Sequence, residues 1–485
     1  KLRIIALLFI FPLFAQDVSS GKSGNTGSIG TVTLNGQVYN KLSIRPEIPI
    51  GKLGVGLDIY LYFNDEGMYW DSWDFSNGSS AYKTIIDKIY YLSWGGPGDN
   101  LYFMVGALPS VTLGQGILVN NYSNIMEYPQ VRQVGLNLQA KIGGFGIELI
   151  HSNFKSTNPG IMGLRGSRAI LPKLSLGVSF VTDLNQLAGL PDSDGDNYPD
   201  YYDYYPDDEN KWDDYLYWRN IYHEIKKDYD GFDNWYSDYK NPYDPSSADS
   251  DPISGIALDA AYSLSEKITL YSQFGLLQGE IADPSDATQT IKLGWGMVPI
   301  GAQAKLGPIT LLGEYRIGAR RFLFNYWDRA YDVNRVLVMN SGVATRESQL
   351  YSFGKLNGIY VHAQMSVMNL LNLTAGYQNM QGEKWDGNEY KSGEANQTFL
   401  TTLSVNPSLI PKVGVAEVFY QQSNVPNPFD FTPTTSTIWG YNVGIEVSSG
   451  VLLMYKARTT YIADLENEDA FNPIESIQIE TQFIF

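Results

Sequence analysis

A chain of 485 residues without a single cysteine admits no disulfide framework, thiol nucleophile or thiolate metal site. Its formal charge of −18 opposes nucleic acid as a partner, and no apolar run beyond the N-terminus reaches the length of a transmembrane helix. Aromatic residues nevertheless make up 14% of the chain, 35 of them tyrosines, against an ordinary hydrophobic content of 44%.

Residues 1–16 have the pattern of a secretory signal peptide. Lys1 and Arg3 supply a positive start, Ile4 to Phe11 an apolar centre, and Ala15 a small residue before Gln16. Leu13 departs from the small residue usual at its position, and a short buried helix is the alternative reading. Residues 17–30 form a Ser/Gly-rich stretch expected to be a flexible leader. From 31 to 485 a single repeating unit of alternating segments is expected, with 31–34 deciding whether one extra strand exists.

Alternation then recurs along the chain. Leu53, Val55, Leu57, Ile59, Leu61 and Phe63 oppose Gly54, Gly56, Asp58, Tyr60 and Tyr62. Ile268, Leu270, Phe274 and Leu276 oppose Lys267, Thr269, Tyr271 and Gln273; Ile309, Leu311, Tyr315 and Ile317 oppose Thr310, Glu314 and Arg316. The same holds for Trp439 to Val447 and for Val451 to Ala457. Period two repeated this often, with turns between, predicts an all-β chain. Short connections at Pro49-Ile50-Gly51, Gly143-Gly144, Leu171-Pro172, Ser265-Glu266, Gly307-Pro308 and Ser448-Ser449-Gly450 alternate with long ones. The long ones lie near 64–82, 109–130, 184–254, 279–290, 319–348, 382–395, 423–436 and 463–473. Segment 109–128, with Leu113-Gly114-Gln115-Gly116-Ile117-Leu118-Val119, is too apolar for an exposed loop. It either folds inward or forms a further strand.

The acidity is local. Segment 184–254 carries eighteen Asp/Glu against five Lys/Arg, which leaves −5 for the rest of the chain. Within it, Asp192-Ser193-Asp194-Gly195-Asp196-Asn197-Tyr198-Pro199-Asp200-Tyr201-Tyr202-Asp203 places carboxylates at positions one, three, five, nine and twelve, with the Tyr198 carbonyl at seven. Hard oxygens at that spacing suit Ca²⁺. The segment resembles an EF-hand-like loop and, with Tyr204-Tyr205-Pro206-Asp207, a thrombospondin type 3 repeat. The resemblance implies a structural calcium ion held by Asp192, Asp194, Asp196, Tyr198, Asp200 and Asp203. It departs from the EF-hand at Asn197, where Gly is usual, and at Asp203, which replaces a bidentate Glu. A helix is expected over 208–229, and the loop's aromatic rings are expected to pack on one another.

The last segment, 475–485, sets Ile477, Ile479, Thr481, Phe483 and Phe485 against Ser476, Gln478, Glu480 and Gln482. Side chains alternate across a strand, so one face wants hydrocarbon and the other water. This ending on Phe485 resembles the C-terminal signature of Gram-negative outer-membrane β-barrels, and the alternating loop lengths resemble porins. The implied fold is an all-β, transmembrane antiparallel β-barrel of about 18 strands, within a range of 16 to 20. Short periplasmic turns and long extracellular loops go with it, 184–254 being an acidic extracellular insertion. A soluble sandwich or propeller is the alternative.

The resemblance implies a porin-like channel for passive diffusion of small hydrophilic solutes, in the outer membrane of a Gram-negative-type bacterium. Its expected pore lining is mixed: Arg45, Lys141, Lys267, Arg316, Lys456 and Arg458 against Glu47, Asp58, Glu148, Asp259, Glu314, Glu446 and Glu480. Phe483 and Phe485 are the expected signal for the barrel-assembly machinery. Outer-membrane lipid is a further partner, and self-association into a homo-oligomer is left open. A structural or adhesive surface barrel, working through its large aromatic loop, is the alternative. His151, His223 and His362 suggest no nucleophile, base and orienter set, so no enzyme is expected.

Overall fold

The alternating segments join into one antiparallel sheet in the computed structural model of the chain. The structure describes residues 25–484 apart from 35–36, 66, 127–130, 157–158, 191, 193–198, 207, 209–210, 212–213, 229–230, 232–250, 340–341, 369, 407–409 and 465–469.

Seven strands come first: β1 (Thr26–Leu34), β2 (Gln37–Arg45, resuming as Glu47–Ile50), β3 (Leu53–Leu57, resuming as Ile59–Asn64), β4 (Ile89–Trp94), β5 (Leu101–Gly106), β6 (Gly135–Ile142) and β7 (Phe145–His151). Then follow β8 (Met162–Leu171), β9 (Leu174–Asp183), β10 (Ile253–Ser263), β11 (Ile268–Gln278), β12 (Trp295–Leu306) and β13 (Ile309–Gly318). The last are β14 (Phe353–Val367), β15 (Leu371–Trp385), β16 (Tyr390–Val405), β17 (Val413–Val425), β18 (Ile438–Ser448), β19 (Val451–Ala463) and β20 (Phe471–Ile484).

The sheet has 23 strand segments. Joining those split at Pro46 and Asp58, and setting aside the two-residue flap Gly67–Met68, leaves these twenty passes, at the top of the expected range. Each pairs with its neighbours in sequence. The last pairs with the first, from Thr26↔Ile484 to Val32↔Gln478, so the ladders run round a ring. A ring has no unpaired edge, which is the condition hydrocarbon imposes on β-structure. Thr26 to Gly30, expected in the leader, belong to the wall instead. Ser28, Gly30 and Val32 are small because Glu480 and Tyr62 crowd the inside there; a Cβ on Gly30 would lie 2.0 Å from the Ile479 carbonyl oxygen.

The faces are inverted relative to a soluble protein. Leu42, Ile44, Leu164, Val178, Leu258, Phe274, Ile300, Ile359, Val443 and Ile479 are exposed, whereas Lys41, Asp58, Arg165, Asp259, Glu314, Arg316 and Glu480 are buried. Connections at one end of the ring are short: 51–52, 143–144, 172–173, 307–308 and 449–450. At the other end lie 65–88, 107–134, 184–252, 279–294 and 319–352. One expected long loop, 382–395, is instead a tight turn in which Asp386 N–H donates to the Glu389 carbonyl, because β15 and β16 extend beyond their neighbours. The principal apolar cluster lies inside the ring, built from two long loops and the wall they touch.

Candidate functional site in the barrel interior

The apolar segment after β5 folds inward. Its described pairing is confined to single bridges, Val111↔Tyr122 and Val119↔Trp327, so it is not a further strand of the wall. Gly114 and Gly116, at φ of 60° and 93°, allow its turn. Ile117, Leu118 and Val119 are buried at the tip. They seat against β10 and β11 at Gly255 and Gly275, where the wall lacks side chains. A Cβ on Gly275 would stand 3.3 Å from both Ile117 Cδ1 and Leu118 Cδ2.

Polar contacts fix the seat. Gln273 Oε1 accepts from Ile117 N at 3.0 Å, Gln273 Nε2 donates to the Gln115 carbonyl at 3.3 Å, and Glu148 accepts from Gly114 N at 3.2 Å. The loop after β13 lies alongside. Asn325 N and Trp327 N donate to the carbonyls of Ile117 and Leu118, and Asn120 N donates to that of Trp327. Phe322, Phe324, Tyr326, Trp327 and Tyr331 fill the space behind.

The two loops reach the opposite wall. Arg458 on β19 donates to the Met126 carbonyl, Met126 and Ala330 pack on Phe419 of β17 and Ile438 of β18, and Arg132 bonds Asp58 at 2.6 Å. Together they strap the interior from β10–β11 across to β17–β19 and to β3.

Most charges expected to line a pore are engaged in pairs. Glu480 holds Lys456 at 2.7 Å and Lys41 at 3.2 Å; Asp58 holds Arg45 and Arg132. Arg165 on β8 bridges Glu148 and Asp259, and Arg316 pairs with Glu314 at 2.6 Å while Tyr271 donates to the same carboxylate at 2.8 Å. Glu47 accepts from Tyr91 at 3.3 Å. Lys141, Lys267 and Glu446 stand at the short-turn rim: Lys141 donates to the Gly98 carbonyl, Lys267 is exposed, and Glu446 accepts from Gly450 N. The partners Lys41, Arg132 and Arg165 were not among the expected lining residues.

Two polar clusters anchor the long loops. Asp87, closing the helix Gly78–Asp87, accepts from Lys155 at 2.5 Å and from Lys88 at 3.2 Å. Burial raises its carboxyl, but Lys155, Arg132 and Lys88 outweigh that and hold it at about 2; burial also pushes the Lys88 ammonium down to about 8. In the second cluster Gln186 donates to Glu347 at 3.2 Å and accepts from Tyr326 at 2.8 Å. Burial, and then the Asp251 carboxylate, push Glu347 up to about 9. Nearby, Asp183 takes Arg335 at 3.1 Å and Tyr331 at 2.8 Å, and Tyr122 donates to Asp332 at 2.7 Å.

Of the expected calcium ligands, Asp194, Asp196 and Tyr198 lie outside the described residues, as does Phe485. Asp192 is exposed, and Asp203 sits in a turn on the Pro199 carbonyl, its Oδ1 accepting from Tyr205 N at 2.7 Å. The helix beyond is Asp214–Arg219, continuing with π-helical pairing over Asn220–Lys226. Tyr204, Tyr217 and Trp218 pack ring on ring at 5.1–6.3 Å. The histidines lie apart: His151 stacks on Phe154, His362 faces Tyr360, and His223 is in the loop helix.

No family model and no curated protein matches the chain. Among solved structures it is similar to OccK11 (OpdR) of Pseudomonas aeruginosa, with 11% identity over 95% of this chain and 94% of that one and a TM-score of 0.31. It is also similar to Wzi of Escherichia coli, an outer membrane protein of group 1 capsule assembly described as a carbohydrate-binding β-barrel, with 10% identity over 95% and 84% and a TM-score of 0.31. The ferric-catecholate import receptor Fiu of E. coli K12 gives 9% identity over 96% and 82%, with a TM-score of 0.37. Likeness at this level carries nothing about what the chain binds or conducts.

Proposed function

We propose that the chain is an outer-membrane channel for small hydrophilic solutes, with a bore set by the two inward loops. The observation that carries this reading is the inversion of faces: a twenty-pass ring shows hydrocarbon outward and charge, amide and hydroxyl inward. Toward the short-turn end, the inward positions His362, Gln364, Thr374, Thr402 and Asn442 remain partly or fully exposed, which suits a wet chamber beneath the strap. In this reading the acidic segment 184–254 gates or shields the channel, with calcium at Asp192 to Asp203 as its ordering ion. The assembly machinery takes the C-terminal strand as its handle.

A second reading has one observation in its favour. Because the strap spans the interior, the barrel could serve as a rigid base for its long loops, as a structural or adhesive surface protein. Planar-bilayer recording separates the two. Stepwise current from the purified protein supports the channel; a silent bilayer with folded protein inserted leaves the surface reading.

A further inference from the structure

The outer wall carries a recess where the ladder slips. Register shifts fall between Tyr271 and Gln273 on β11 and between Met297 and Ile300 on β12. Pro299, which has no N–H to give the ladder, lies inside this bulge, and Ser272 Oγ donates to its carbonyl at 2.7 Å. The hydroxyl is thereby satisfied although it points toward hydrocarbon. Gly166, Ala260 and Ser272 make a low floor, and Leu176, Leu258 and Phe274 stand up around it, in a shallow, open depression of about 860 Å³. From β8 to β12 the recess crosses four inter-strand spacings, ~19 Å, the order of length of a membrane acyl chain.

One end of the recess is charged. Arg168, on the outward face of β8, is exposed and lies with its guanidinium 4.7 Å over the Phe145 ring. Phe145 is its cross-strand partner and follows directly on the Gly143-Gly144 turn, so this cation stands near the short-turn edge of the wall. Glu148 and Asp259, carboxylates of this part of the wall, face inward and are held by Arg165. No described carboxylate pairs with Arg168. A guanidinium on a lipid-facing strand is tolerated near the interface rather than at mid-depth, and its planar fork matches two phosphate oxygens.

We infer that this recess is a binding site for one anionic phospholipid of the leaflet at the short-turn end. Its phosphate lies on Arg168 and an acyl chain lies along Gly166, Ala260 and Ser272. The inference rests on the transmembrane fold and is independent of whether the barrel conducts.

The test uses the purified full-length barrel in detergent, equilibrated with equimolar palmitoyl-oleoyl phosphatidylglycerol and phosphatidylcholine, with retained lipid counted by native mass spectrometry. Wild type retains phosphatidylglycerol in preference. Arg168→Gln lowers that preference about fivefold, the effect of one basic residue at an anionic surface. Ala260→Trp fills the floor and reduces retention of both lipids; Ser272→Leu serves if the tryptophan variant does not fold, as judged by heat-dependent gel mobility. Equal retention of the two lipids by wild type, or undiminished retention in a folded floor-filling variant, overturns the site alone. Failure of wild type to insert into phosphatidylcholine vesicles overturns the site together with the transmembrane reading.

Discussion

The seat of the first inward loop gives a quantitative expectation. Ile117 and Leu118 are almost wholly buried, at 3% and 2% exposure. Burying side chains of this size is worth ~1.5–3 kcal/mol each, so Ile117→Ser with Leu118→Ser removes about 3–6 kcal/mol from the seated state. The Gln273 and Glu148 bonds to the loop backbone survive the substitution, each worth about 1 kcal/mol. At 1.4 kcal/mol per factor of ten, the equilibrium between seated and released loop shifts at least a hundredfold. In planar bilayers the double variant should show a larger step size, or longer dwell in the larger state, than wild type. Proteinase K should cut it between 107 and 134 while the folded gel mobility of the barrel is kept. Cleavage of the loop with unchanged conductance would refute the idea that this loop sets the bore. Resistance equal to wild type would refute the account of what holds it.

Other expectations follow from the pairs. Arg165→Met strands Glu148 and buried Asp259, and should cost about 3–5 kcal/mol, read as a lower urea midpoint; an unchanged midpoint refutes the triad. Glu347 has an ordinary value of 4.5 and is raised to about 9, so its bound proton favours the fold. That contribution is full below pH 4.5, declines as pH rises and is gone above 9. The Tm of wild type should therefore fall across that window, and Glu347→Gln should flatten the profile. Asp192→Ala with Asp196→Ala should expose 184–254 to trypsin as a chelator does in wild type; cleavage indifferent to chelator removes calcium from the account. Gly30→Ala drives a Cβ to 2.0 Å from the Ile479 carbonyl and should slow or abolish formation of the folded band while leaving loop proteolysis in any folded fraction unchanged.

The wall was largely legible because a strand facing water on one side and hydrocarbon on the other writes its register into every second residue. Tyr60, Tyr62, Tyr271, Gln273, Glu314 and Arg316 all lie on the buried, inward face that alternation assigned them. β1 escaped because its inner residues had to be small, and Ser-Gly spacing reads as a linker. The turn at 386–389 escaped because hydrophilic hairpins that stand clear of the membrane lose the alternation. The interior was less legible. Arg165 and Asp259 are brought together by ring geometry across 94 residues of sequence, and no local pattern encodes such a pairing. The inward path of Ile117 did leave a signal, an apolar run interrupted by Gly114 and Gly116, but that signal fits a strand equally well.

The seam between β1 and β20 governs the order of events in assembly. Its seven residue pairs join positions separated by nearly the whole chain, and closing a loop of that size costs roughly 5 kcal/mol of chain entropy, with little return until the final rungs form. Every other ladder of the wall joins strands that are adjacent in sequence and can form as the chain is delivered. The unclosed intermediate is therefore a curved sheet with two raw edges, complete in all but one ladder and unable to rest in lipid. A partner that held β20 while β1 came round would act as a temporary twenty-first strand, and would have to let go by the time Gly30 docks beneath Ile479.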